Sequence, residues 1–348
     1  MSSIIKKISY ILIWLPSILL LFGCVYLFYA NNFVSLGFSL VLPILFILNV
    51  IIGVYWLINK NKLVLFSVFC GLIYFLCFDS FFQFNSEKKI DTNNEGLNLN
   101  TISFLTYNAG GFSFDDGIRD NNNKERVSND PIVKFIINEN PDIFCIQEFS
   151  AIKFKYFKDH PHWYKTNIFT QNKSVLALFS KYPIIDKGYI EFPDSTNGAM
   201  YVDLDINDEQ VRVYNIHLES FKVRGEFYNF REVSAYKSLK SSINKAEEKR
   251  LEQIYLVKKH METFNGKVIV CGDFNTTQFS FTYQLLKGSK KDTFIERGFG
   301  FGATYVRRGY PFRIDYILVD EDIKVISHKN FDLKYSDHEP ILSELVIN

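Results

Sequence analysis

Charge is almost missing from the first quarter of this chain. Residues 1 to 85 hold only Lys6, Lys7, Lys60, Lys62 and Asp79 as charged groups. So little charge over so long a stretch excludes an ordinary water-facing domain there. Cysteine is scarce too, with five in 348 residues. Cys24, Cys70, Cys77, Cys145 and Cys271 lack metal-ligand spacing, and a disulfide framework would be denser. They read as small buried hydrophobes. An excess of positive charge is the third absence. Residues 86 to 348 carry 35 Lys and Arg against 37 Asp and Glu. That is not the balance of a protein gripping nucleic acid mainly through phosphates, although a local basic groove stays open.

What fills the charge-poor stretch is apolar. Three runs, Ile8 to Ala30, Phe33 to Ile58 and Leu63 to Phe82, are each long enough for a bilayer crossing, which needs roughly 20 residues. A cleaved signal peptide competes for the first run, but two more follow and no small-residue cleavage site is clear. Lys6 and Lys7 precede the first run, Lys60 and Lys62 separate the second and third, and the Asn31-Asn32 loop is uncharged. The positive-inside rule then puts the N-terminus in the cytoplasm and everything after the third run outside. The expectation is an integral protein of the inner or plasma membrane with an extracytoplasmic domain. Ser86 to Asn100 is polar and without periodicity, hence a linker. The organisation expected is a membrane anchor of three helices (1–85), a linker (86–100) and a soluble domain (101–348).

The soluble part places polar residues at the ends of apolar strands again and again. In Val268 to Thr276 (VIVCGDFNT), four β-favouring residues run into Gly272, Asp273, Phe274 and Asn275. If the segment stays extended, Asp273 and Asn275 point the same way. Thr101 to Tyr107 ends at Asn108, followed by Ala109-Gly110-Gly111. Pro141 to Phe149 is a buried strand closed by Gln147 and Glu148, and a carboxylate there either reaches solvent or binds a cation. Ser174 to Ile184, Met200 to Ile206 and Val211 to Ser220 read as further strands, with His217 near the end of the last. Asp315 interrupts the apolar strand Arg313 to Val319 and needs a hydrogen-bond donor or a metal. Asp337 and His338 precede a final strand from Ile341, with Pro340 fixing the backbone. Pro131 to Asn138 is expected as a short helix and Asp116 to Asn129 as a loop. Between Phe221 and Phe264 apolar residues recur at helical spacing among many charges, most simply a solvated helix face.

Asn108, Gln147-Glu148, LALFSKYP, His217 in NIHLES, GDFN at 272–275, RIDYI at 313–317 and SDHEP at 336–340 occur in this order. Together they resemble the endonuclease/exonuclease/phosphatase superfamily. The resemblance implies an α/β fold, a four-layer sandwich of two packed, mixed and mostly antiparallel sheets with helices outside. It implies a divalent-metal phosphoesterase, with Mg²⁺ as the ion and Mn²⁺ as the alternative. By position, Glu148 is then the main metal ligand, supported by Asn108 and Asp337. His338, held by Asp315, would orient or deprotonate the attacking water or grip the phosphate. Asp273 and Asn275 would position the water, and His217 would contact the phosphate or assist the leaving group. Gly110 stands where abasic-site enzymes of the superfamily carry an Asp, which leaves out a second ligand there.

The reading is therefore a membrane-anchored phosphoesterase attacking a phosphodiester in line with water, on a lipid or another phosphate near the bilayer. The alternatives are an extracytoplasmic nuclease, which the charge balance does not favour, and a catalytically silent binding module of the same fold. The oligomeric state is left open.

Overall fold

The computed structural model describes residues 3–85, 101–112, 130–166, 174–221, 233–307 and 310–347. The expected linker 86–100 and the expected loop 116–129 lie outside the described residues. Two compact units emerge. One comprises Met1–Phe81, Phe221–Leu251 and Thr277–Leu285; the other comprises Phe82–Ser220, Glu252–Thr276 and Leu286–Asn348.

In the first unit the apolar runs form α1 (Ser3–Tyr26), α2 (Phe33–Ile58) and α3 (Val64–Cys77). Asn32 caps α2 by accepting from the backbone N–H groups of Val34 and Ser35, and Ser35 reciprocates in a capping box. Leu20, Cys24, Leu42, Cys70 and Tyr74 pack at the centre, and Phe279 joins them from the third segment of the unit. Ser17 Oγ donates to Asn49 Oδ1 at 2.7 Å and Asn49 Nδ2 donates to the Ser67 carbonyl at 3.0 Å, which ties the three helices together. The outside is also apolar: Ile51, Leu57, Leu65 and Leu76 are all exposed.

Three crossings were expected, and among the described residues one helix, Phe33–Ile58, is long and apolar enough, with mean hydropathy 2.5. In α1 the described stretch Ile13–Tyr26 is a shorter apolar helix. The third run is helical only over the 14 residues Val64–Cys77. At ~1.5 Å per residue that helix rises about 21 Å, short of the roughly 30 Å of a hydrocarbon core. It stops because Phe78 turns extended (φ −140°, ψ 149°), ahead of Asp79.

The second unit carries two six-stranded sheets. The first contains β2 (Thr101–Asn108), β3 (Ile143–Gln147), β4 (His162–Lys165), β5 (Ala177–Ser180), β15 (Lys324–Asn330) and β16 (Ile341–Val346), ordered β15-β16-β2-β3-β5-β4. The second contains β6 (Ile184–Glu191), β7 (Gly198–Ile206), β8 (Glu209–His217), β9 (Lys267–Asp273), β10 (Lys291–Asp292) and β14 (Asp315–Val319), ordered β10-β14-β9-β8-β7-β6. Each sheet has one parallel pair, β2 with β3 and β8 with β9, and is otherwise antiparallel. Short ribbons complete the unit: β1 (Gln83–Phe84) with β11 (Phe299–Gly300), and β12 (Tyr305–Arg307) with β13 (Tyr310–Phe312).

Period-two alternation builds the core between the sheets. Ile102, Phe104, Ile143, Cys145, Leu178, Val202, Val213, Ile269, Cys271 and Ile317 belong to one buried cluster drawn from both. The alternate residues Leu105, Tyr107, Phe144 and Ile146 join a second cluster with Ile132, Val133 and Ile136 of the helix Pro131–Glu139. The segment Ser174 to Ile184, expected as strand, breaks at 181–183. Tyr182 N–H donates to Ser180 Oγ at 2.9 Å, and the chain leaves the first sheet at Ser180 to enter the second at Ile184.

Candidate active site

The faces that build the core turn polar at one end. Along β2 the inward residues run Ile102, Phe104, Thr106, Asn108; along β3 Ile143, Cys145, Gln147; along β8 Val211, Val213, Asn215, His217; along β9 Ile269, Cys271, Asp273. β14 runs antiparallel to β9 and begins with Asp315 directly opposite Asp273. Below these residues lies a bridging layer. Gln147 Nε2 donates to Thr106 Oγ1 at 3.0 Å and to Asn215 Oδ1 at 2.7 Å, while Asn215 Nδ2 donates to the carbonyls of Ile146 and Ala177. Both amides are fully buried, so this pairing is what makes their burial tolerable.

Asp273 is the hub. Asn108 Nδ2 donates to its Oδ2 at 3.0 Å and Asn275 Nδ2 at 3.3 Å. His217 Nε2 lies 3.5 Å and His338 Nε2 3.6 Å from the same oxygen, beyond an ordinary hydrogen bond. The two rings thus flank the carboxylate without being tied to it. His338 Nδ1 pairs with Asp315 Oδ2 at 2.9 Å. Burial alone would push the His338 imidazolium down, but the Asp315 and Asp273 carboxylates outweigh it and raise its pKa to about 10. Burial pushes the Asp315 carboxyl up, against the attraction of His338.

The backbone explains the crowding. Gly272 sits at φ +123°, and a Cβ there would lie 2.1 Å from the Ile216 carbonyl oxygen of the neighbouring strand. Only glycine fits. Asn275 does not continue an extended strand beside Asp273, as the spacing suggested. It takes φ +51°, its N–H donates to Asp273 Oδ1 at 2.8 Å, and its side chain reaches back to Asp273 Oδ2 and the Leu218 carbonyl. An aspartate-led turn thus brings the two side chains together where pleat alternation was expected to. Glu148 also has positive φ, +52°, and its side chain is 42% exposed, with Oε1 4.0 Å from His217 Nε2.

Asn108, His217, Asp273, Asn275, Asp315 and His338 therefore share one connected cluster, with Glu148 at its edge through His217. Asp337 reaches it from another side. Ser336 Oγ donates to the Asn108 carbonyl at 3.0 Å, and a Cβ on Gly110 would lie 3.1 Å from Ser336 Oγ and 3.7 Å from Asp337 Oδ1. The bare Gly110, at φ +53°, leaves a cradle beside the Asp337 carboxylate, and its N–H donates to Asn108 Oδ1. Glu148, Asn108 and Asp337 offer hard oxygens of the kind that Mg²⁺ takes, so the donor set fits such an ion. Asp273, Asp315 and His338 are a second grouping, each offering a ligand atom within 4.8 Å of the others. The His338–Asp315 hydrogen bond and the deep burial of all three suit an ion that retains waters less well.

Several contributors carried no readable signal. Thr304 Oγ1 accepts the N–H groups of Ile314 and Asp315. Ser174 Oγ contacts His217 Nδ1 at 3.3 Å. The Tyr305 ring lies 4.9 Å from the His338 ring. Each sits in a loop or short ribbon, and only the fold brings it in.

Two mixed sheets whose facing strands converge on paired carboxylates, histidines and amides define a hydrolase acting on phosphate-ester bonds. The profile of the Endonuclease/Exonuclease/phosphatase family matches residues 105–338, and the chain belongs to that family. No curated protein sequence matches it. Among solved structures, TDP2 of D. rerio complexed with a single-strand DNA product is 15% identical, with TM-score 0.52 over 71% of this chain and all of the other. A mannosyl-6-phosphatase of Bacteroides thetaiotaomicron is 17% identical, with TM-score 0.52 over 71% of this chain and 100% of its own. A family member from Beutenbergia cavernae is 15% identical, with TM-score 0.53 over 71% and 72% of the two chains. At these identities the likeness is one of fold.

Proposed function

We propose that the chain is a membrane-anchored, Mg²⁺-dependent phosphodiesterase whose site faces the extracytoplasmic side. The observation that carries the chemistry is the Asp273 hub, a buried carboxylate between two imidazoles, with one imidazole backed by Asp315. His338 is held as a cation and donates from Nε2 to a phosphate oxygen. Asp273 is the acceptor left to orient the attacking water and take its proton, steadied by Asn108 and Asn275. His217 serves the opposite side of the phosphate or the leaving oxygen. Glu148, Asn108 and Asp337 would hold the ion, and it would supply neutralisation of charge on the phosphate.

The anchor comprises residues 1–85, joined by 86–100 to the catalytic domain 101–348. All three helices lie in the bilayer, which thins locally around the short α3. Support for the topology comes from the α1–α2 loop. Asn31 Nδ2 donates to the Glu247 carbonyl at 2.6 Å, and Asn244 Oδ1 accepts the Phe33 N–H at 2.7 Å. That loop therefore shares a side with residues 244–247, as an odd number of crossings requires.

The test is an assay of the full chain in nanodiscs with bis-p-nitrophenyl phosphate, a phospholipid and single-stranded DNA, each with Mg²⁺ or EDTA. Turnover that EDTA abolishes and Mg²⁺ restores is expected, with the soluble diester and the lipid as substrates. Turnover of DNA alone, falling steeply with salt, would favour a nuclease. Chelator-insensitive turnover, or none, would defeat the metal-dependent reading.

A further inference from the structure

The second unit carries an aromatic face that the chemistry above does not use. Phe82, Phe84, Phe299 and Phe301 form a ring cluster, with centroids 4.8 Å apart for Phe82–Phe84, 6.2 Å for Phe82–Phe299 and 5.0 Å for Phe82–Phe301. The β1–β11 ladder pairs Phe84 with Phe299, so the cluster is built on hydrogen-bonded backbone. Yet Phe84 is 82%, Phe299 61% and Phe301 56% exposed. Leaving such apolar side chains together in water is unfavourable and marks a contact surface. The chain then turns at Gly302 into the β12–β13 hairpin, where Val306 and Tyr310 are also exposed.

Covalent geometry limits what can cover this face. Phe82 follows the last residue of α3, Cys77, by five residues, so at most about 18 Å of chain separates it from that helix end. Clustered, exposed aromatic rings are side chains that settle at a bilayer interface. The hairpin leads on to the site. Tyr305 bridges to His338 through the backbone and lies against its ring, and the Thr304 carbonyl accepts the Glu339 N–H at 2.6 Å.

We infer that Phe84, Phe299, Phe301, Val306 and Tyr310 form an interfacial face seated in the headgroup boundary of the anchoring bilayer, so that the site acts on a phosphate ester carried by a lipid. The inference rests on the phosphoesterase reading for its chemistry but not for its membrane contact. The aromatic anchors hold the hairpin at the lipid surface, and the hairpin holds His338 where a headgroup phosphate reaches it. Substrate is thereby drawn from the plane of the membrane.

The experiment uses the full chain in liposomes. Phe299→Trp is compared with the parent, which contributes Trp14, Trp56 and Trp163, in lipids brominated near the headgroup. The added emission is expected to be quenched; emission indifferent to bromine overturns the inference, and cross-linking between copies through this face would assign it to self-association. In the second arm Phe84→Ser, Phe299→Ser and Phe301→Ser are combined. Hydrolysis of a fluorogenic phospholipid should fall on the order of tenfold, with bis-p-nitrophenyl phosphate turnover changed less than about twofold. Equal losses on both substrates would make the face merely structural and overturn it. If the parent turns over neither substrate, the phosphoesterase reading fails, and the quenching arm alone still decides the membrane contact.

Discussion

At the scale of single residues, two histidines illustrate opposite uses of burial. His338 faces Asp315 and Asp273, and their charge keeps it protonated. Asp315→Asn removes one of those charges and offers an amide to Nδ1. It and His338→Asn should each lower kcat on bis-p-nitrophenyl phosphate by about 10²–10⁴-fold. A loss below about tenfold, measured in the same nanodiscs, would remove His338 from the chemistry. His328 is the counterpart. It is buried on β15, its Nδ1 meeting Thr293 Oγ1 at 2.8 Å and Ser343 Oγ at 3.0 Å, and burial lowers its pKa to about 4. With a depressed folded pKa, the unfolded chain binds the proton first as pH falls. The stability is complete above roughly pH 6.5 and is lost progressively toward pH 4, on the order of 3 kcal/mol in all. Thermal unfolding followed between pH 7 and 4.5 should show this slope. His328→Gln should flatten it, and an unchanged slope would contradict the assignment.

At the scale of elements, what could be read early was what lies within one strand. The apolar run of β9 predicts its burial, and the polar residues at its end predict a site there. Asn108, His217, Asp273, Asp315 and His338, each singled out as a polar residue in or beside a strand, do share one cluster. What could not be read was set by pairing between distant segments. The break at 181–183 looks like continuous strand because Leu178 and Ile184 suit either sheet. β15, an edge strand, escaped notice since its polar residues, the buried His328 among them, leave no clean alternation to read. Thr304 and Ser174 carry no local mark at all. Gly272 shows the same dependence, for its reason is the Ile216 carbonyl on another strand. Gly272→Ala should therefore destabilise the fold by about 2–4 kcal/mol, visible as a lower midpoint in chemical denaturation. A shift under about 0.5 kcal/mol would mean that β8 and β9 can part at little cost.

At the scale of the whole molecule, the N-terminal helical bundle is not a detachable handle. Phe279 lies among Tyr74, Phe78 and the other buried residues of the helical unit, and Gln278 Nε2 donates to the Asp79 and Ser80 carbonyls. A chain starting at residue 86 would leave Phe279 without those neighbours. It should elute as aggregate or unfold at lower temperature than the full chain in detergent, and equal thermal midpoints would show the contacts to be dispensable. The same arrangement bears on biosynthesis. The three N-terminal helices leave the ribosome first, while Phe279 follows residue 81 by nearly 200 positions. At about 5–20 residues per second the bundle waits roughly 10–40 s for that ring. During that interval the end of the bundle that Phe279 fills stays open, a window in which a chaperone would find it unfinished.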